Sequence, residues 1–224
     1  MLDALSADDP RAVRSRRDLR RINRVMGTAG VIGKALDALV RDQTAPHLVE
    51  LGAGDGSLLL RIARQRANRW PKTRLDLLDM QPVVHSETLT GYADAGWSAQ
   101  IIGADIFDWF GLPAPRDPPV VVANLFVHHF EGERLQALVN GIASRARAFV
   151  CCEPRRNRIA LAGSSMLWAL GCNRVTVHDG VLSVRAGFRD GELSALWPRP
   201  EAWVLHEDCV GPFVHRFVAV RKDA

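Results

Sequence analysis

The chain has 224 residues, 47% apolar and 24% charged, with a formal net charge of +4. That length supports one sizeable core without disulfide staples, and no apolar run approaches the roughly 18 residues that a membrane-spanning helix needs. The four cysteines, Cys151, Cys152, Cys172 and Cys209, lack zinc-ligand spacing, and the acidic start MLDALSADDP does not read as an export signal, so a reduced, cytoplasmic protein without a bound metal is expected.

Residues 1–10 read as disordered or loosely attached. Residues 11–26 follow as a helix that carries seven arginines, Arg11 to Arg24, against the single acid Asp18. Such a run is the solvated face of an amphipathic helix, or else it meets an acidic partner, an anionic substrate or a membrane surface. A second helix is expected over 28–41, then a buried strand over 47–51 and a helix over 57–68 that Pro71 ends. Strands over 74–79, 97–102, 120–125 and 148–152 alternate with helical stretches over 83–95, 105–110 and 132–146. The continuously apolar 120–125 marks a strand buried on both faces. A helix over 157–170 and an ambiguous stretch to 200 come next. Two apolar runs, 202–205 and 213–220, flank Gly211-Pro212 as an antiparallel hairpin. This rhythm predicts a doubly wound, mostly parallel Rossmann-like α/β sheet of about seven strands, closed by an antiparallel C-terminal hairpin.

The segment VELGAGDGSLL places Gly52, Gly54 and Gly56 between the first strand and its helix. In a doubly wound sheet this is where ligands bind, outside the carboxyl ends of the strands. The spacing is G-x-G-x-G, not the G-x-G-x-x-G of dinucleotide enzymes, and Asp55 stands where a pyrophosphate wants only N–H donors. Both features count against NAD. An acid, an apolar residue and G-x-G-x-G, here Glu50 to Gly56, resemble the first motif of the class I S-adenosylmethionine-dependent methyltransferases. Asp79, Gly103-Ala104-Asp105-Ile106, Asn124-Leu125 and Glu153 then follow at the ends of successive strands. The similarity extends to bacterial small-molecule enzymes of the quinone and polyketide type, which often carry a histidine pair after the fourth strand, as His128 and His129 stand here. Where amino- and amide-nitrogen methyltransferases carry a Pro-Pro pair, this chain has none.

The resemblance implies S-adenosylmethionine as cofactor. Gly52 and Gly54 would then pass close to its methionine moiety and Glu50 would hold its ammonium group. Asp79 would bind the ribose and Met80 would lie against the adenine. Asp105 and Ile106 would contact the adenine edge, and Asn124 would sit near the methyl group. His128 or His129 would face the acceptor. A further base, His178 oriented by Asp179, comes from the stretch after the fifth strand, with Arg185 to hold a phenolate or carboxylate. Trp168 would join Trp109 and Trp197 in an aromatic pocket. Residues 1–46 would form a helical lid presenting Arg20, Arg21 and Asn23, and 47–224 the cofactor-binding domain, with an acceptor insertion at about 155–200. Each of these residues also has a plain structural reading: a turn residue for Asp79 or Asp105, a cap or core group for the histidines, an N-cap for Asp179, core for the tryptophans. The implied reaction is methyl transfer to a hydroxyl or activated carbon of a small aromatic acceptor, with no nucleic-acid partner and a homodimer left open. An RNA or protein acceptor, or a non-catalytic S-adenosylmethionine-binding partner protein, are the alternatives.

Overall fold

The computed structural model describes residues 9–40, 43–67, 69–70 and 72–222. Residues 1–8 and Pro71, expected to be loose and to stop a helix respectively, lie outside them. Helix α1 (Pro10–Met26) begins with the Asp9 side chain accepting from Arg11 N–H, and it ends at Gly27, whose φ of 68° starts α2 (Thr28–Leu39). There follow β1 (His47–Leu51), α3 (Ser57–Arg66), β2 (Arg74–Asp79), α4 (Ser86–Asp94), β3 (Ser98–Gly103), α5 (Ile106–Gly111), β4 (Val120–Asn124), α6 (Gly132–Arg145), β5 (Ala148–Pro154), α7 (Arg158–Ser165), α8 (Arg174–Ala186), α9 (Glu192–Leu196), β6 (Trp203–Val210) and β7 (Val214–Arg221).

The strands form one seven-stranded sheet in the order β3-β2-β1-β4-β5-β7-β6. All pairs are parallel except those made by β7 with β5 and β6. The order reverses between β1 and β4, where Leu48 stands beside Val120 and Leu51 beside Ala123. Period-2 alternation splits the strands between two cores. Leu48, Leu75, Leu77, Val120, Val122 and Val150 pack under α2, α3 and α4. Val49, Leu51, Leu78, Val121, Phe149 and Phe217 pack under α5, α6 and α9.

Two sequence expectations change. Within residues 1–46, expected as a helical lid, Ile32 and Leu36 of α2 are fully buried in the first core, so α2 packs as core. The helix expected over 157–170 stops at Ser165 and gives way to a 3₁₀ turn, Leu167–Leu170. Ser164 and Ser165 each donate to the carbonyl three residues back, at 2.8 Å, and so compete with the helical ladder there.

Candidate active site

The glycine turn after β1 is held from several sides. Gly52, Gly54 and Gly56 have φ of 65°, 56° and 69°, a left-handed conformation that favours glycine. They differ in what surrounds them. A Cβ at Gly52 would overlap the Phe126 ring, and one at Gly56 would press on Leu77 and Thr88 at 3.3 Å, whereas one at Gly54 would meet none of the described residues within 4 Å. Gly54 is therefore the open side of the turn; the space that Gly52 frees is taken by Phe126 and not left for a ligand. Tyr92 Oη donates to Gly56 O at 2.7 Å and Gly54 N–H donates to Asp79 Oδ2 at 2.8 Å. Asp79 Oδ1 accepts from Gln81 N–H at 2.8 Å, so the carboxylate at the end of β2 is oriented by two backbone donors.

Beneath this turn Glu50 is 3% exposed, and its Oε2 has no hydrogen-bond partner among the described residues. Burial, then the neighbouring carboxylates Asp55 and Asp79, pushes its carboxyl well above the usual range. A buried acid flanked by two others is a place where a cation would be welcome.

At the end of β4 the chain turns sharply. Leu125 has φ 53°, a conformation that costs a non-glycine residue on the order of 1–2 kcal/mol. Its N–H still reaches Cys152 O on β5 at 2.9 Å. The turn sends the next three N–H groups onto Glu153, the fully buried carboxylate at the end of β5. Phe126 and Val127 donate to its Oε1 at 3.1 and 2.9 Å, and His128 N–H to Oε2 at 3.4 Å. His128 Nδ1 lies 2.6 Å from the same Oε2. With Nδ1–H donated to the carboxylate, Nε2 carries the lone pair. That Nε2 is buried and has no partner among the described residues, and α8 packs over the turn that bears it. Asn124 presents a second orphan: its Nδ2 donates to Asn23 Oδ1 at 3.0 Å, while its own Oδ1 is buried without a partner among the described residues.

Helix α1 crosses these strand ends. Arg20 pairs with Asp55 of the glycine turn at 2.6 Å, and Asn23 meets Asn124. Asp18, 1% exposed, accepts from Asn173 N–H at 2.9 Å and Thr176 Oγ1 at 3.2 Å at the start of α8.

Other predicted site residues lie elsewhere or act differently. His129 is exposed, while His128 is inward, which separates the two histidines. His178, Trp168 and Arg174 line a surface groove of about 440 Å³ whose lining does not include His128. Arg185 is exposed on the same helix, and Arg21 pairs with Asp18 at 3.5 Å. No shared tryptophan pocket forms: Trp109 and Trp197 are 7% and 3% exposed in the second core, whereas Trp168 is 67% exposed. Asn173, not Asp179, caps α8. Asp105 caps α5 through Phe107 N–H at 2.8 Å, and Ile106 is buried beside it. Met80 is 64% exposed next to Asp79. The role of Glu153 escapes sequence reading because it lies 25 residues from His128; only the β4–β5 pairing joins them.

No protein-family model matches this sequence, and no curated protein matches it. Solved structures do match in shape. The plantazolicin methyltransferase BpumL, in complex with SAH, superposes with a TM-score of 0.64 at 12% identity, over 96% of this chain and 92% of that one. An O-methyltransferase family protein from Burkholderia thailandensis gives 0.63 at 15% identity, over 96% of this chain and 61% of that one, so this chain spans less than two thirds of its length. The small RNA methyltransferase HEN1 gives 0.53 at 15% identity, over 85% of this chain and 25% of that one. This chain has the class I methyltransferase fold. Within that fold, the glycine turn, Asp79, Asn124 and the His128–Glu153 pair lie at the carboxyl ends of β1, β2, β4 and β5, around the point where the strand order reverses.

Proposed function

We propose that this chain is an S-adenosylmethionine-dependent methyltransferase that acts on a hydroxyl or activated carbon of a small, aromatic quinone- or polyketide-like acceptor. The observation that carries the reading is the buried His128–Glu153 pair, with its free Nε2, at the strand ends beside the glycine turn. The cofactor fits the residues present. Glu50, with an orphan oxygen and two acidic neighbours, suits its ammonium group. Gly54 opens toward its amino-acid moiety. Each Asp79 oxygen accepts one backbone N–H and keeps a lone pair for a ribose hydroxyl. Met80 offers an apolar surface to a base, with Asp105 and Ile106 at its edge.

Bound there, the cofactor supplies a methyl group already activated on a sulfonium. The chain's own work is to align the acceptor, exclude water and take a proton. His128 Nε2 accepts the proton of the acceptor hydroxyl or carbon acid. Glu153 holds the ring in the tautomer that leaves Nε2 free, and it stabilises the imidazolium that results. Phe126 and Phe130, edge to face at 5.2 Å, flank the short turn that bears this base and suit an aromatic acceptor. Helix α1 covers the strand ends through Arg20 and Asn23, and α8 covers the base. His178, Arg185, Arg21 and Trp168 then belong to the outer approach, not to the chemistry.

The test is formation of the demethylated cofactor when purified protein is given S-adenosylmethionine and a panel of phenols, quinols and β-diketones. Turnover in His128→Asn should fall by about 10²–10⁴-fold, the usual contribution of a general base, with affinity for the demethylated cofactor unchanged within a few-fold. Turnover equal to wild type in that variant rules out His128 as the base.

A further inference from the structure

Charge is spread unevenly over this molecule. Residues 9–26 and 155–187 together hold twelve arginines and three acids, while the whole chain carries a net +4. Of these arginines, Arg11 is paired with Asp9, Arg20 with Asp55, Arg21 with Asp18 and Arg156 with Glu192, and the excess that remains is still positive. The same two segments hold Val13, Val25, Ile159, Met166, Trp168 and Leu182, between 45% and 67% exposed. Most of the strongly exposed large apolar side chains among the described residues thus lie where the positive charge is densest.

These segments adjoin. Asp18 and Ser15 of α1 bond to Asn173 at the head of α8, and the Arg21 guanidinium lies 3.9 Å from where a Cβ on Gly171 would be. The groove between the 3₁₀ turn and α8 is lined by Ser165, Trp168, Arg174 and His178. Along α8, Arg174, His178, Leu182 and Arg185 recur at helical spacing and are all exposed.

A phosphate backbone would use the arginines and have no need of Ile159, Met166 or Leu182. A second copy related by two-fold symmetry would bring two arginine-rich faces together, which like-charge repulsion opposes. An anionic bilayer satisfies both components: guanidinium groups meet lipid phosphates while apolar side chains and an interfacial tryptophan enter the headgroup–acyl boundary. We propose that the face formed by α1 and the α7–α8 hairpin docks on an anionic membrane surface. The inference does not rest on the methyl-transfer reading. If both hold, an acceptor dissolved in the bilayer would approach from the α8 side, the helix that covers His128.

The test uses the full chain and a built-in reporter. Of the six tryptophans, Trp168 is the exposed one; Trp70, Trp97, Trp109, Trp197 and Trp203 are 3–7% exposed. Vesicles of phosphatidylglycerol and phosphatidylcholine should shift tryptophan emission to the blue and, with brominated acyl chains, quench it. Pure phosphatidylcholine vesicles should do neither, and the change should be absent in Trp168→Phe. Co-sedimentation with the anionic vesicles should weaken at least tenfold in Arg17→Glu/Arg174→Glu and about tenfold in Met166→Ser/Leu182→Ser, with wild-type circular dichroism in each. Absence of wild-type binding at low salt overturns the proposal, as does quenching that persists without Trp168. RNA binding or apolar self-association in place of vesicle binding overturns it too.

Discussion

Gly52 and Gly54 stand two residues apart in the same left-handed turn, yet they answer to different neighbours. Gly52→Ala forces a methyl group into the Phe126 ring, so it should lower the melting temperature by several degrees, on top of about 1 kcal/mol for the backbone. Gly54→Ala carries only the backbone cost, because its Cβ points into open space; its larger effect should be on affinity for the demethylated cofactor, measured by calorimetry. Glu50 makes a prediction in pH. Burial holds its folded-state pKa above the unfolded value of about 4.3. Folding therefore favours the neutral form, and the stability this confers is complete below that value and lost as pH rises through the raised one. In the ligand-free protein, Glu50→Gln should match wild type near pH 4 and exceed it by about 1–3 kcal/mol at pH 8. Urea melts across pH measure this; equal stability at both values would mean that the buried carboxyl is compensated. Glu50 and Asp79 are legible from sequence because each stands at the carboxyl end of a predicted strand, Glu50 just before the glycine turn. The His128–Glu153 pair is not, since it exists only once Asn124 and Cys152 stand side by side on neighbouring strands. Nor can spacing tell His128 from His129; a 3₁₀ turn over Val127–His129 turns one in and leaves the other out.

Among the elements, α1 has two kinds of attachment. Its pair between Arg20 and Asp55 is partly exposed, and such pairs contribute about 0–1 kcal/mol. Its tie through Asp18 to Asn173 and Thr176 is buried, so breaking it leaves desolvated donors behind. Arg20→Ala should therefore leave the melting temperature nearly unchanged, whereas Asp18→Ala should cost about 1–3 kcal/mol and speed proteolysis within 11–24 under native conditions. Equal cleavage rates in the two variants would show that α1 is held by something else. The boundaries of α1, of the central strands and of the antiparallel hairpin follow from periodicity and from Gly27 and Gly211. The break in the predicted 157–170 helix does not, because it depends on Ser164 and Ser165 turning back onto their own carbonyls. Helix α2 reads as lid in sequence because it precedes the first strand; its buried Ile32 and Leu36 make it core.

At the scale of the whole molecule, the strand order brings the glycine turn, Asp79, Asn124 and the His128–Glu153 pair to one edge of the sheet. The strand order reverses between β1 and β4 there, and α1 and α8 roof these strand ends from opposite ends of the sequence, joined to each other through Asp18 and Asn173. The arginine-rich outer surface of that roof is where a membrane would meet the molecule. The central claim is that these strand ends hold S-adenosylmethionine against the glycine turn. Isothermal titration with S-adenosylhomocysteine tests it most directly. The account predicts saturable binding at one site per chain, abolished in Gly54→Val with unchanged circular dichroism. Absence of binding by the wild-type chain, or equal binding by both proteins, would contradict it.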